Sequence, residues 1–138
     1  MANNAVKWEG ATSRTTGISS TTIAGSTSTT GTSIANNTNK DRFASIQLAT
    51  QFATAPTDGS AVELYLLYSL DGTNYESGLR KRPPDAIFTV NNQTSVQRLT
   101  KINIPLAPFA FKPFVYNAAD QQATNATVLL YTHNEEIE

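Results

Sequence analysis

From Arg42 onward, apolar side chains recur at every second residue in short blocks, and Gly, Pro, Asn and Asp separate the blocks. This alternation decides the fold class. In Phe43 to Phe52, Ala44, Ile46, Leu48 and Phe52 share one face while Ser45, Gln47 and Gln51 take the other, as in a half-buried strand. Ala55 to Ser60 supplies turn chemistry, and Ala61 to Leu70 follows with Val62, Leu64, Leu66, Tyr68 and Leu70 on a continuous apolar face. No window of a dozen residues carries the 3.6-residue period of an amphipathic helix, and the one helical candidate is a turn near Ala118 to Gln122. Short strands parted by turns, with no helices between them, predict an all-β chain: an antiparallel β-sandwich of Greek-key or jelly-roll type.

The later strands carry irregularities. Ala86 to Val90 is a short apolar run. Ser95 to Ile104 sets Val96, Ile102 and Ile104 in one alternating series, but Arg98 falls in that series and Leu99 outside it, which a β-bulge would reconcile. Phe109 to Tyr116 alternates Phe109, Phe111 and Val115 against Phe114 and Tyr116, and Pro113 predicts an edge position or a bulge because it has no N–H for a ladder. Ala126 to Thr132 reads as the last strand, followed by an acidic end. Ala11 to Lys40 is Thr, Ser, Gly and Asn, with Ile18, Ile23 and Ile34 its only sizeable apolar residues, so it cannot form a core alone. The expected organisation is therefore an extended N-terminal segment at 1–40, forming an arm or edge strands, a sandwich core at 41–133 and an acidic tail at 134–138.

At 138 residues and 39% hydrophobic, the chain suits one domain. Only 15% of it is charged, against roughly 25% in an average soluble domain, and Thr, Ser and Asn supply about a third of the residues. Ten Lys and Arg against eleven Asp and Glu leave a net charge of -1, which gives no general attraction to nucleic acid. Neither a membrane span nor the apolar stretch of a secretory signal is present. There is no cysteine and only one histidine, His133, which reads as a solvated strand-end residue. Glu63, Asp71, Glu76 and Asp85 show no spacing that points to a catalytic pair. Asp71 to Tyr75 has a single carboxylate and follows a strand, so it reads as a turn rather than a calcium loop. No catalytic, cofactor or metal site is expected.

The candidate contact residues are few. Arg80-Lys81-Arg82 is the only dense basic cluster and either grips an acidic surface or phosphate or forms a solvated loop. Tyr65 and Leu67 point away from the expected core, beneath either a loop of the same chain or a second subunit. Trp8 is either an anchor for the chain end or a sugar-stacking platform, and together with Tyr65 and Tyr75 it keeps a carbohydrate-binding module as an alternative.

From Arg42 on, the chain resembles small virion structural proteins of tailed bacteriophages. The echoes are Phe43-Ala44-Ser45-Ile46-Gln47-Leu48, Ala55-Pro56-Thr57-Asp58-Gly59-Ser60, Val62 to Leu70 running into Asp71-Gly72-Thr73-Asn74-Tyr75, Ile104-Pro105-Leu106, and Phe111 to Asn117. They span about two-thirds of the chain, and their order and spacing carry the likeness. The longer Thr/Ser-rich start and the Glu-rich end depart from it, and no site residue is carried over. The resemblance implies a non-enzymatic capsid decoration or accessory protein located in the virion. Its partners would be the major capsid protein or other virion proteins, and it would form a homo-oligomer such as a trimer. A tail or adhesion-device component is the neighbouring alternative.

Overall fold

The computed structural model describes residues 6–10, 14–78, 80 and 82–137, with residues 6–10, 136 and 137 as backbone only. Among the described residues, nine strands and one helical turn follow in order: β1 Val6–Gly10, β2 Thr15–Ile23, β3 Thr27–Thr30, α1 Asn36–Asn39, β4 Phe43–Phe52, β5 Ala61–Ser69, β6 Ala86–Thr89, β7 Gln97–Pro105, β8 Ala110–Asn117 and β9 Ala123–Ile137. The first sheet runs β1-β9-β4-β7, with β2 also paired to β9, and the second runs β3-β8-β5-β6. All pairings are antiparallel. Strands 2 to 5 pair in turn with strands 9, 8, 7 and 6, so the second half of the chain retraces the first as a folded double ribbon. That winding is a jelly roll.

The alternation that predicts β4 is observed along its whole length, with Ala44, Ile46, Leu48, Thr50 and Phe52 all buried. Val62, Leu64 and Leu66 of β5 oppose them, and Phe88, Phe111, Val115, Val128 and Leu130 fill the space between the sheets. The apolar face of β5 stops earlier than the sequence suggests. Leu70 lies past the strand end and is 78% exposed.

The β7 anomaly is a bulge. Between the pairs Ala44–Ile104 and Ile46–Lys101, β7 spends one residue more than β4, and Asn103 there takes a left-handed φ of 57°. The phase of the strand flips at that point. Gln97 and Ile104 are buried and Leu99 packs on the core, whereas Val96 and Ile102 are exposed.

Pro113 sits neither on an edge strand nor in a bulge, since β8 lies between β3 and β5. The missing N–H is tolerated because β3 ends at the pair Thr30–Phe114, and the Gly31 N–H donates to the Pro113 carbonyl at 2.7 Å. A strand residue directs its N–H and C=O to the same neighbour, so the absent donor falls where the neighbouring ladder has already broken off. The pyrrolidine ring fills the gap between Gly17 and Gly31. A Cβ on either glycine would come within 2.8 Å of Pro113 Cγ, and one on Gly31 would also collide with the Gly17 carbonyl oxygen.

Three further expectations concern the ends and turns of the chain. Of the arm and the edge strands expected for the N-terminal segment, residues 15–34 take the second form: β2 lines β9, β3 lines β8, and Ile18, Ile23 and Ile34 are 4%, 2% and 6% exposed within the core. Residues 134–137 are not a tail, because β9 continues to Ile137 and pairs there with β1. The helical turn lies at 36–39, where the buried Asn36 side chain donates to the carbonyls of Asp41 and Ala107 and accepts the Asp41 N–H. Residues 118–122 form a bend instead, held by Asn117, whose side chain donates to the carbonyls of Ile23 and Gln121.

A chain beginning at Ala24, which lacks β1 and β2, should lose cooperative thermal unfolding; a sharp transition would show that the first sheet closes without them. Gly31→Ala should lower the free energy of denaturant unfolding by about 1–3 kcal/mol through overpacking. Gly59→Ala, with φ +82° and open space around its Cβ, should cost only about 1 kcal/mol of backbone strain.

Candidate functional site

The outer face of β5 carries Tyr65 and Leu67, and both are buried, at 3% and 5% exposure, with Phe114 of β8 beside them. The Tyr65 and Phe114 rings meet edge to face at 5.8 Å. The cover is intramolecular, for the connection from β5 to β6 folds back over this face. Gly78 lies so close to the Phe114 ring that a Cβ would approach it to 2.6 Å. Neither Tyr65 nor Leu67 is therefore available to a second subunit.

The basic cluster holds that connection in place. Arg82 forks onto Glu76 at 2.8 and 2.9 Å, reaches Asp85 at 3.0 Å and donates to the Leu66 carbonyl at 2.7 Å. Asp85 in turn accepts the Leu66 N–H at 2.7 Å, while the Glu76 N–H donates to the Tyr68 carbonyl at 2.9 Å. β6 pairs with β5 only as far as Leu64. Beyond that pair, the loop's side chains and backbone satisfy the polar groups that a longer strand would have met. Arg80 forks onto Glu63 at 3.1 and 2.7 Å, and its guanidinium lies 4.1 Å above the Tyr116 ring. Lys81 lies outside the described residues. The two arginines are thus engaged by acids of their own chain, Arg80 by Glu63 and Arg82 by Glu76 and Asp85.

The acids of this face are taken up in the same way. Asp71 accepts the N–H groups of Thr73 and Asn74 at 2.8 and 2.7 Å, which closes the expected turn and holds its carboxyl well below the usual range. Hydrogen bonds from Arg82 hold Glu76 low against the opposing effect of burial. Burial pushes Glu63 up, but hydrogen bonds from Arg80 and Tyr65 outweigh it and leave the net shift downward. Tyr75 is half-buried, its hydroxyl 2.6 Å from Ser33 Oγ and its ring under Lys112. Sequence reasoning found the basic residues but not their partners. Glu63, an acid within the most apolar strand, was the available signal.

Two grooves stand out among the described residues. The first is an open groove of about 640 Å³ on the outer face of the first sheet, lined by Arg14, Ser45, Gln47, Thr100, Leu129 and Tyr131 together with backbone of Ile46 and Leu130. Register places it: Ser45 opposes Tyr131, and Gln47 lies between Leu129 and Thr100. Gln47 Nε2 donates to Thr100 Oγ1 at 3.1 Å. Beside the groove, His133 is buried rather than solvated, with Nε2 3.1 Å from Ser45 Oγ and its ring stacked on Phe43 at 5.7 Å. The second is a groove of about 430 Å³ between β6 and β7, the adjoining edge strands of the two sheets, bordered by exposed Ile87 and Ile102. Trp8 stands in β1 opposite Glu135, and its side chain lies outside the described residues. Among the described residues, no three His, Asp or Glu side chains are gathered as a metal site.

Arg82→Leu should remove about 2–3 kcal/mol of stability, since it strands Glu76, Asp85 and the Leu66 carbonyl. Because Glu63 and Glu76 titrate below their ordinary range in the folded state, their contribution is complete above about pH 4.3 and is lost as the pH falls through the lower folded values. Protection factors across residues 70–78 and 82–85, corrected for the pH dependence of intrinsic amide exchange, should therefore fall on acidification below that range before the sheets open. Simultaneous loss of protection throughout the chain would contradict this.

No family model matches the sequence, and no curated protein matches it. Among solved structures the chain is similar to the CBM36-1 domain of a multidomain xylanase from the hindgut metagenome of Trinervitermes trinervoides, at 12% identity and a TM-score of 0.50, over 91% of this chain and 96% of that one. Weaker likenesses, each with a TM-score of 0.35, are to the Yersinia pseudotuberculosis-derived mitogen, at 12% identity over 96% of this chain and 86% of that one, and to Bacillus endospore appendages that form disulfide-linked pili, at 13% identity over 96% and 95%. The first speaks to the β-sandwich fold and to the fold alone.

Proposed function

We propose that this chain is a non-enzymatic structural protein of a bacteriophage particle, an accessory subunit held on the capsid surface by contacts with the major capsid protein. The observation that carries the reading is the pair of adjoining open edges, β6 and β7, with Ile87 48% and Ile102 69% exposed beside a shared groove. Such an edge offers backbone hydrogen bonds and apolar anchors, with Lys101 beside them as a charged contact for the partner. The ordered likeness of the chain from Arg42 on to small virion proteins supports the same reading. Many copies of a modest contact, arranged by the symmetry of the particle, give stable attachment through avidity. Because Tyr65 and Leu67 are covered within the chain, self-association into a homo-oligomer such as a trimer would draw on these edges as well. The same edges would serve a tail or adhesion device, and a reconstruction of the particle distinguishes the locations.

Washed, purified particles should contain the chain at a fixed ratio to the major capsid protein by quantitative mass spectrometry. Its confinement to infected-cell extract would overturn the reading. Ile102→Glu, at a solvent-exposed position, should leave the thermal transition in place and reduce rebinding to stripped particles by at least about tenfold.

A further inference from the structure

The outer face of the second sheet is sealed by the 70–85 connection, whereas the outer face of the first is an open concave surface of about 640 Å³. That volume lies within the roughly 300–1,000 Å³ of small-ligand sites. The groove has an aromatic, a set of neutral polar groups and a charge of one sign. Tyr131 is 39% exposed, and the buried His133 ring packs beside it with centroids 6.3 Å apart and so supports its position. An aromatic face of this kind packs against the apolar C–H face of a pyranose while its hydroxyl stays wet. Gln47 and Thr100 bond to each other once, which leaves the Gln47 carbonyl, its second N–H and the Thr100 proton for a ligand. Alternating donors and acceptors on side chains held by a rigid sheet suit the hydroxyls of a sugar.

Charge narrows the class. No carboxylate lines the groove, and Arg14 does. Arg98 stands on the same face two residues along β7 from Thr100, opposite Ala49 in the register. Neither arginine has a carboxylate partner among the described residues, in contrast to the paired Arg80 and Arg82. A guanidinium fork facing solvent beside a hydroxyl-binding surface matches a carboxylate carried on a sugar ring. We propose that this face, at Tyr131, Gln47, Thr100, Ser45, Arg14 and Arg98, binds an acidic oligosaccharide, one built of uronic or comparable carboxylated sugars. The site goes beyond attachment to the particle: it faces outward from the first sheet, whereas the β6–β7 edge begins at the neighbouring Lys101 and Ile102 of the same strand.

The test is calorimetric titration of the full chain with tetragalacturonate, with cellotetraose as the neutral probe and with polyphosphate as a charge-only probe. Tetragalacturonate should bind with a Kd at or below about 1 mM, and cellotetraose at least about tenfold more weakly. Tyr131→Ala and Gln47→Leu should each weaken the acidic sugar by about tenfold while keeping the parent thermal transition, and Arg14→Gln should narrow the gap between acidic and neutral sugars. Three results overturn the proposal: no heat with tetragalacturonate up to about 5 mM, equal binding of the neutral sugar, or polyphosphate binding as tightly as the sugar with no loss in Tyr131→Ala. None of them bears on whether the chain is found in particles, so failure here and failure of the structural reading are separable.

Discussion

β9 is the strand on which both ends of the chain depend. It pairs with β4 along one side, and along the other it pairs first with β2 and then with β1. A strand of fifteen residues with one side unpaired would expose a long row of N–H and C=O groups, which is both costly within a sandwich and a template for aggregation. The Thr-rich N-terminal segment removes that edge. Its few apolar residues matter because of where β9 puts them: Ile18 lies opposite Val128 and Ile23 opposite Ala123. A composition that suggests an appendage thus encodes the strand that closes the first sheet. Thr suits the task, since its β-branched side chain favours extended backbone and its hydroxyl tolerates the solvent-facing side.

The same closure explains the glycines. Where the start of β2 passes the end of β3 beside β8, the close approach leaves no room for a Cβ at Gly17 or Gly31 against the Pro113 ring. Pro113 in turn fits an interior strand only because the ladder on its β3 side is interrupted there. The proline and the two glycines form one local solution to this close approach, in which a strand lacking a donor meets neighbours lacking side chains.

The sequence makes legible whatever depends on a single strand. The inward set of β4 could be read from alternation alone because one face of a strand is buried along its whole length. The phase of β7 could not, because the bulge at Asn103 reverses which residues face in and depends on how β7 lies against β4. His133 follows the same logic: one residue beyond the expected end of the last strand, it is buried by Phe43 and Ser45 of a strand some ninety residues earlier. The basic cluster was visible, but its partners come from β5 and from the far side of the loop. Only the folded reversal at Asp71 brings Glu63, Glu76 and Asp85 to the arginines.

The distribution of charge separates the two faces by role. The chain has few ionic side chains, and several of them are concentrated where the 70–85 connection covers Tyr65, Leu67 and Phe114. An apolar patch could have been covered by an apolar loop, but β6 stops at the partner of Leu64, and beyond that point backbone groups as well as side chains need partners. Arg82 and Asp85 meet both requirements, since a guanidinium can donate to a carbonyl and to carboxylates at once. The outer face of the first sheet has no such cover. There the pairs Ser45–Tyr131 and Gln47–Thr100 present neutral polar groups and an exposed ring to solvent, and the nearby arginines are left without acids among the described residues. A sandwich that closes one outer face with ion pairs and leaves the other polar, concave and positively edged has two unequal sides, and the difference comes from where β6 stops rather than from composition.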